Sequence, residues 1–180
     1  MWTLKQGALT NAGINWAAVR RELGPATPRN AAVEEGDILL ASTAHEIYYV
    51  GREVDLVREM PAEIRESNQA VAEFMIIRPM PTRPVGISDA YVAAFLRHPA
   101  GLHQVQRCIR GLRGGHTYPI DIGKFVLVPR PADQWMTTFH ERWLSAEQVR
   151  REAAKTMANS VRELEAWLTE SGANVSRESA

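Results

Sequence analysis

Short apolar runs punctuated by glycine and proline fill the first half of the chain, and apolar positions three or four residues apart fill the second. In EEGDILLAST and EIYYVGREVDLV, the stretches Ile38–Leu40 and Ile47–Val50 read as paired strands, with Gly36 and Gly51 as punctuation. AVAEFMIIRPMP predicts a buried strand over Phe74–Ile77, stopped by Pro79, Pro81 and Pro84. Residues 1–32, broken by Gly24, Pro25 and Pro28, read as an opening strand and loop.

The period then changes. Ser88 has the chemistry of a helix N-cap and Asp89 suits a first turn, while Tyr91, Val92, Phe95 and Leu96 recur at helical spacing. Pro99 divides this helix from a second short one, which is predicted to run to Gly111 and to carry Arg107 and Arg110. A glycine-rich loop follows, then KFVLVP reads as a returning strand closed by Pro129 and Pro131. From Gln134 to Glu170 neither glycine nor proline interrupts thirty-seven residues, which predicts one helix of about 55 Å. Its apolar stripe runs through Phe139, Trp143, Ala146, Val149, Ala153, Met157, Val161, Leu164 and Leu168. A stripe of that length exceeds what a domain of about 130 residues covers, so part of it needs another helix, unless the helix folds back over the sheet.

The expected class is therefore α/β in the α+β sense: a small mixed sheet with short helices over residues 1–133, then a spacer or dimerisation helix and tail over 134–180. At 180 residues, 45% hydrophobic and 23% charged, the composition is that of a globular protein, and no run of about 18 apolar residues exists to cross a bilayer. MWTLKQGALT lacks the features of a secretory signal, and the one cysteine, Cys108, has no internal disulfide partner. The expected location is the cytoplasm.

Zero net charge argues against a nucleic-acid partner until its distribution is considered. Arg97 to Arg130 holds six Lys/Arg against Asp121 alone, a local balance of +5, whereas Val33 to Glu73 holds three basic residues against ten acidic, −7. Such a division suits a protein that holds a polyanion on one side, and equally one whose two segments face each other.

Catalytic constellations are scarce. The chain has no P-loop lysine motif, no G-x-S-x-G, no H-E-x-x-H and no cysteine pair for zinc. His98, His103, Cys108 and His116 lack metal-ligand spacing. Ser42, Thr43 and His45 offer a nucleophile and a base without an orienting acid. The residues point to binding with no cofactor rather than to an enzyme.

GDILLASTAHEIYYVG, then ISDAYVAAFLRHPAGLHQVQRCIRGLRGGHTYPIDIGKFVLVPRPADQ, then one long helix, resembles a target recognition domain and conserved helix of the DNA-specificity subunit of type I restriction-modification systems. The resemblance covers about residues 33 to 170 and lies in the order helix, G-x-x-G loop, strand, spacer helix. It implies a domain that reads one part of a split site in double-stranded DNA. The long helix would set the spacing and hold a methyltransferase (modification) subunit, with a restriction subunit as a further candidate partner. Family members usually carry two recognition domains and two helices; this chain has one of each, which implies a half-subunit that either pairs with a copy of itself or is a fragment. STAHEI carries Ala44 and His45 where the family often has glycine.

The residues expected to meet DNA are Arg107, Arg110 and Arg113, the loop glycines Gly114 and Gly115, then His116, Thr117, Tyr118 and Lys124, with Thr43 and His45 from the hairpin. An arginine fork can hold guanine's O6 and N7 or a phosphate, and glycines let backbone N–H groups come close to the strand. The same loop could also be a plain solvated turn. Trp143, Val149, Met157, Val161, Leu164 and Leu168 are the expected contacts of the partner helix. The rival expectations are a protein-interaction adaptor, a decoy that occupies a methyltransferase without reading DNA, and an enzyme of unknown type.

Overall fold

A computed structural model describes residues 1–10, 12–23, 30–80, 82, 86–111 and 114–178, the side chains of 171–178 excepted. It is a mixed α+β chain that divides into two compact units, Met1–His140 and Glu141–Ala180. No helix among the described residues is long and apolar enough to cross a membrane.

Up to Arg21 the opening segment holds four short strands rather than one, while Gly24, Pro25 and Pro28 lie outside the described residues. Strand β1 (Trp2–Leu4) lies between antiparallel β4 (Arg20–Arg21) and parallel β8 (Asn68–Ala70), and β2 (Leu9–Thr10) pairs with β3 (Gly13–Ile14). Two single 3₁₀ turns, Gln6–Ala8 and Trp16–Ala18, join these pieces. What orders them is burial at a distance: Leu4, Ala8, Leu9 and Val19 enter one core with Val33, Leu39, Ala41, Val57, Met60, Ile64, Ala70 and Phe74.

The central sheet has β5 (Ile38–Ala41) in the middle, antiparallel to β7 (Val54–Leu56) on one side and to β9 (Phe74–Ile77) on the other. All four β5 residues are buried, which explains why ILLA is apolar throughout rather than alternating. β9 has the predicted bounds. The predicted partner of β5, Ile47–Val50, is not a strand: Ile47–Tyr49 forms a 3₁₀ turn and the pairing falls to Val54–Leu56. Only Val50 of that run reaches the core, while Ile47, Tyr48 and Tyr49 stay about half exposed, so the run has one anchor rather than a strand's alternate set. A short strand, β6 (Thr43–Ala44), follows β5 and belongs to a different pair, described below. After β7 comes the single-turn helix α1 (Ala62–Arg65).

Local signals set the next helices. Helix α2 (Asp89–Arg97) is capped by the Ser88 hydroxyl, which accepts from the Tyr91 N–H at 3.2 Å. Helix α3 (Pro99–Arg107) begins directly with proline at its first position, and His98 both ends α2 and caps α3 by accepting from the Ala100 N–H. The two helices meet at Gly101, where a Cβ would lie 2.1 Å from the Phe95 carbonyl oxygen, so only glycine fits. Helix α3 ends at Arg107, not at Gly111, because Arg110 turns away to bond with His116.

The predicted strand KFVLVP is absent. Pro119–Phe125 instead forms a helix, α4, with proline at its start, Asp121 in its first turn and Ile122 buried beneath it. Past its end, the Gln104 side chain of α3 takes the place of a neighbouring strand: its Oε1 accepts from the Leu127 N–H at 2.8 Å and its amide donates to the Leu127 carbonyl at 3.4 Å.

Helix α5 (Asp133–Glu178) starts one residue before the predicted start and continues past Glu170. Within the first unit its opening turns pack on α2. Tyr91 makes edge contacts with Trp135 and Phe139, centroids 5.9 and 5.6 Å apart, and Trp135 stacks on Phe139 at 5.1 Å. Phe139, the first member of the expected partner stripe, is thus used inside the first unit. In the second unit Trp143 is partly buried, whereas Val149, Met157, Val161, Leu164, Trp167 and Leu168 are all at least half exposed.

Candidate nucleic-acid interface

Ser42 is where the chain changes sheets. Its N–H and its hydroxyl both donate to the Glu73 carbonyl, each at 2.9 Å, and its own carbonyl accepts from the Thr117 N–H at 2.8 Å. The hydroxyl considered above as a nucleophile is therefore buried and bound to backbone. Immediately beyond it, β6 pairs antiparallel with β10 (Gly115–His116), in the register Ala44 to Gly115 and Thr43 to His116.

This pairing brings the hairpin and the glycine loop to one place across 73 residues of sequence: the Thr43 hydroxyl lies 3.1 Å from His116 Nδ1. The loop itself is clamped at its base, since Arg110 and His116 exchange both backbone hydrogen bonds, at 2.8 and 3.1 Å. Gly111 and Gly114 take φ of +115° and +144°, conformations that L side chains rarely adopt. At Gly115 the constraint is space, because a Cβ there would lie 2.7 Å from a Val50 methyl.

The expected residues fall into four groups, with Gly115 among the buried ones. Thr43, His45, Arg110, Gly114 and His116 converge on this edge, and His45, Arg110 and His116 are exposed. Tyr118 is half exposed just beyond, while Arg107 and Lys124 are exposed at the end of α3 and on α4, Lys124 over the Phe125 ring at 5.3 Å. Thr117 does not face outward: it is buried, and its N–H and hydroxyl both donate to the Ser42 carbonyl. Arg113 lies outside the described residues.

The surface also contains residues that the sequence did not single out. Tyr48 and Tyr49 project from the 3₁₀ turn with rings 4.4 Å apart, and the Arg52 guanidinium sits over Tyr49 at 5.7 Å. Gln106 holds this turn to α3, donating to the Tyr48 carbonyl at 3.2 Å and to the Val50 carbonyl at 3.4 Å. Tyr48's hydroxyl is pushed up to about 12, first by its hydrogen bond to Glu46 and then by that to Tyr49, so it stays a neutral phenol at physiological pH. An exposed aromatic pair followed by arginine was the available signal, hidden because IYYV also reads as a strand.

Electrostatically the edge is less basic than the +5 count implies. Arg110 pairs with Asp121 at 2.7 Å, Arg130 with Asp133 at 3.3 Å, and Arg97 with Asp55 of the acidic segment at 3.9 Å. The acidic and basic segments do face each other at that last pair. Arg107 and Lys124 have no carboxylate at ion-pair distance among the described residues, and Arg52 is exposed as well. Cys108 is buried, which pushes its thiol above the usual range, with the nearby Asp121 charge adding to this. Among the described residues no group of three or more His, Cys, Asp or Glu could hold a metal ion.

Compared with known proteins, the chain matches no protein-family model and no curated relative.

Proposed function

We propose that this chain is a DNA-specificity half-subunit of a type I restriction-modification assembly, which reads one part of a split duplex site and leaves methylation and cleavage to partner subunits. The observation that carries the reading is the β6–β10 pairing. It gathers a hairpin, the loop glycines Gly111 and Gly114 at positive φ, an exposed arginine and an exposed tyrosine pair onto one edge. These groups match the needs of duplex recognition: Arg110 offers a planar fork to a base edge, and Arg52, Arg107 and Lys124 offer charge to phosphates. The loop glycines let backbone N–H groups approach the strand.

The second unit supports the assembly half of the reading. Met157, Val161, Leu164 and Leu168 present an exposed stripe at spacings of four, three and four. Charge along the helix is divided too. Arg150, Arg151 and Lys155 stand against Glu147 and Glu152 in one stretch, with Arg150 paired to Glu147 at 2.6 Å, and Glu163, Glu165 and Glu170 stand against Arg162 in the next. An antiparallel pair of copies sets opposite charges side by side, whereas a parallel pair sets like against like. A two-fold homodimer of this kind would place two recognition domains on a palindromic split site, and the same helices would dock a methyltransferase subunit.

Selection of bound duplexes from a random pool by the purified chain tests the proposal. Enrichment of a defined motif supports it. Retention of duplex without any enrichment, alongside co-purification of a methyltransferase, would favour the decoy instead.

A further inference from the structure

Arg110 is anchored at the base of the glycine loop through both its backbone and its side chain. Its backbone is closed onto His116 at both the N–H and the carbonyl, and its Nη2 donates to Asp121 Oδ1 at 2.7 Å. The two partners differ in exposure: the Arg110 side chain is 65% accessible and that of Asp121 is 9%. Asp121 is in turn fixed from below, since its N–H donates to the Tyr118 carbonyl in the first turn of α4. Its second oxygen, Oδ2, is buried and has no hydrogen-bond partner. A buried carboxylate in that condition depends on the one cation it has, so Arg110 is held rather than free to swing.

One N–H of five is used in this contact. The remaining donors of the guanidinium, including the second hydrogen on Nη2 and both on Nη1, stay available along an edge that can meet two acceptors in one plane. Guanine presents such a pair, O6 and N7, in the major groove. A phosphate contact would work as well from a flexible arginine, whereas base readout gains from a fork whose orientation is set before binding.

On this basis, and resting on the DNA reading above, we infer that Asp121 is a positioning residue that holds Arg110 as a preset fork for the major-groove edge of one guanine. Arg110 then determines specificity at a single base pair, and Asp121 acts through it without touching DNA.

The test measures affinity for a duplex selected by the wild-type chain and for versions altered at each guanine in turn. Wild type should lose about 5- to 150-fold when one particular guanine becomes adenine, and Arg110→Ala should remove the preference at that position alone. Asp121→Asn keeps the shape and removes the charge, so it should reduce the same preference several-fold while binding to non-specific DNA holds or tightens. Arg110→Lys, which keeps the charge and leaves the buried carboxylate paired, should also lose the preference without changing the salt dependence. Circular dichroism and thermal melting confirm that each variant is folded. A guanine preference left intact in Arg110→Ala or Arg110→Lys overturns the inference. So does an Asp121→Asn protein that binds every duplex more tightly with unchanged preference, since Asp121 would then be a counter-charge only. If the wild-type chain binds no duplex at all, the DNA reading itself fails, which is a different result.

Discussion

Replacing Gly115 with alanine should open the candidate interface while leaving the core folded. The added methyl would lie 2.7 Å from Val50 Cγ2, 3.2 Å from Ile109 Cγ2 and 3.3 Å from the Ile47 Cα. The first distance cannot stand, and Val50 is fully buried, so its methyl has no free space to enter. Forcing a methylene-sized group into packed surroundings costs about 1–3 kcal/mol. The β6–β10 pair consists of two residues on each strand, so a penalty of that size is comparable to what holds it, while β5 and its neighbours do not share the strain. Detachment of the loop should therefore precede loss of the core. Hydrogen exchange measures this directly: protection of the His116 and Thr117 amides, bonded to Arg110 and Ser42, should drop by about 5- to 150-fold. Amides of Leu39 and Leu40 in β5 should hold their protection. Unchanged exchange at residues 116 and 117 would refute the argument, as would an equal loss of protection in β5.

Two further outcomes follow from named groups. Burial raises the Glu53 carboxyl above its ordinary value of 4.5, so its protonated form suits the fold; that contribution is complete below the ordinary value and is lost as pH rises through the raised one. Glu53→Gln should then melt at a higher temperature than wild type at neutral pH and at a similar temperature in acid, as read by melting scans across pH. Val161 and Leu164 are each 54% exposed, so changing both to glutamate should cost little in folding but convert a dimer to a monomer in light scattering, with unchanged circular dichroism.

Sequence signals that act over a few residues were legible. Ser88 and Asp89 start α2, Pro99 starts α3, and β9 ends just before Pro79, because caps and fixed φ angles are local properties. Elements decided by distant partners were not. KFVLVP has strand composition, yet Gln104 supplies its backbone bonds and α4 consumes its start. IYYV has strand composition too, but one buried side chain and two bonds from Gln106 make it a turn. At the candidate site the two halves, Thr43 with His45 and Arg110 with the glycines, were visible as separate segments. Their registry was not, because a pairing across 73 residues leaves no periodic trace. Asp121 was visible only as the lone acid of a basic stretch, while its role as the anchor of Arg110 depends on α4 turning it inward.

The central claim is tested most directly by fluorescence anisotropy of a labelled duplex, carrying the selected motif, titrated with the wild-type chain between 50 and 200 mM salt. Three phosphate contacts in each chain, from Arg52, Arg107 and Lys124, or six in the proposed dimer, predict a slope of about −5.4 in log affinity against log salt, a loss of roughly 2,000-fold over that range. A scrambled duplex should bind more weakly at every salt concentration. Equal affinity for both duplexes, or no binding to either at 50 mM salt, would contradict the account.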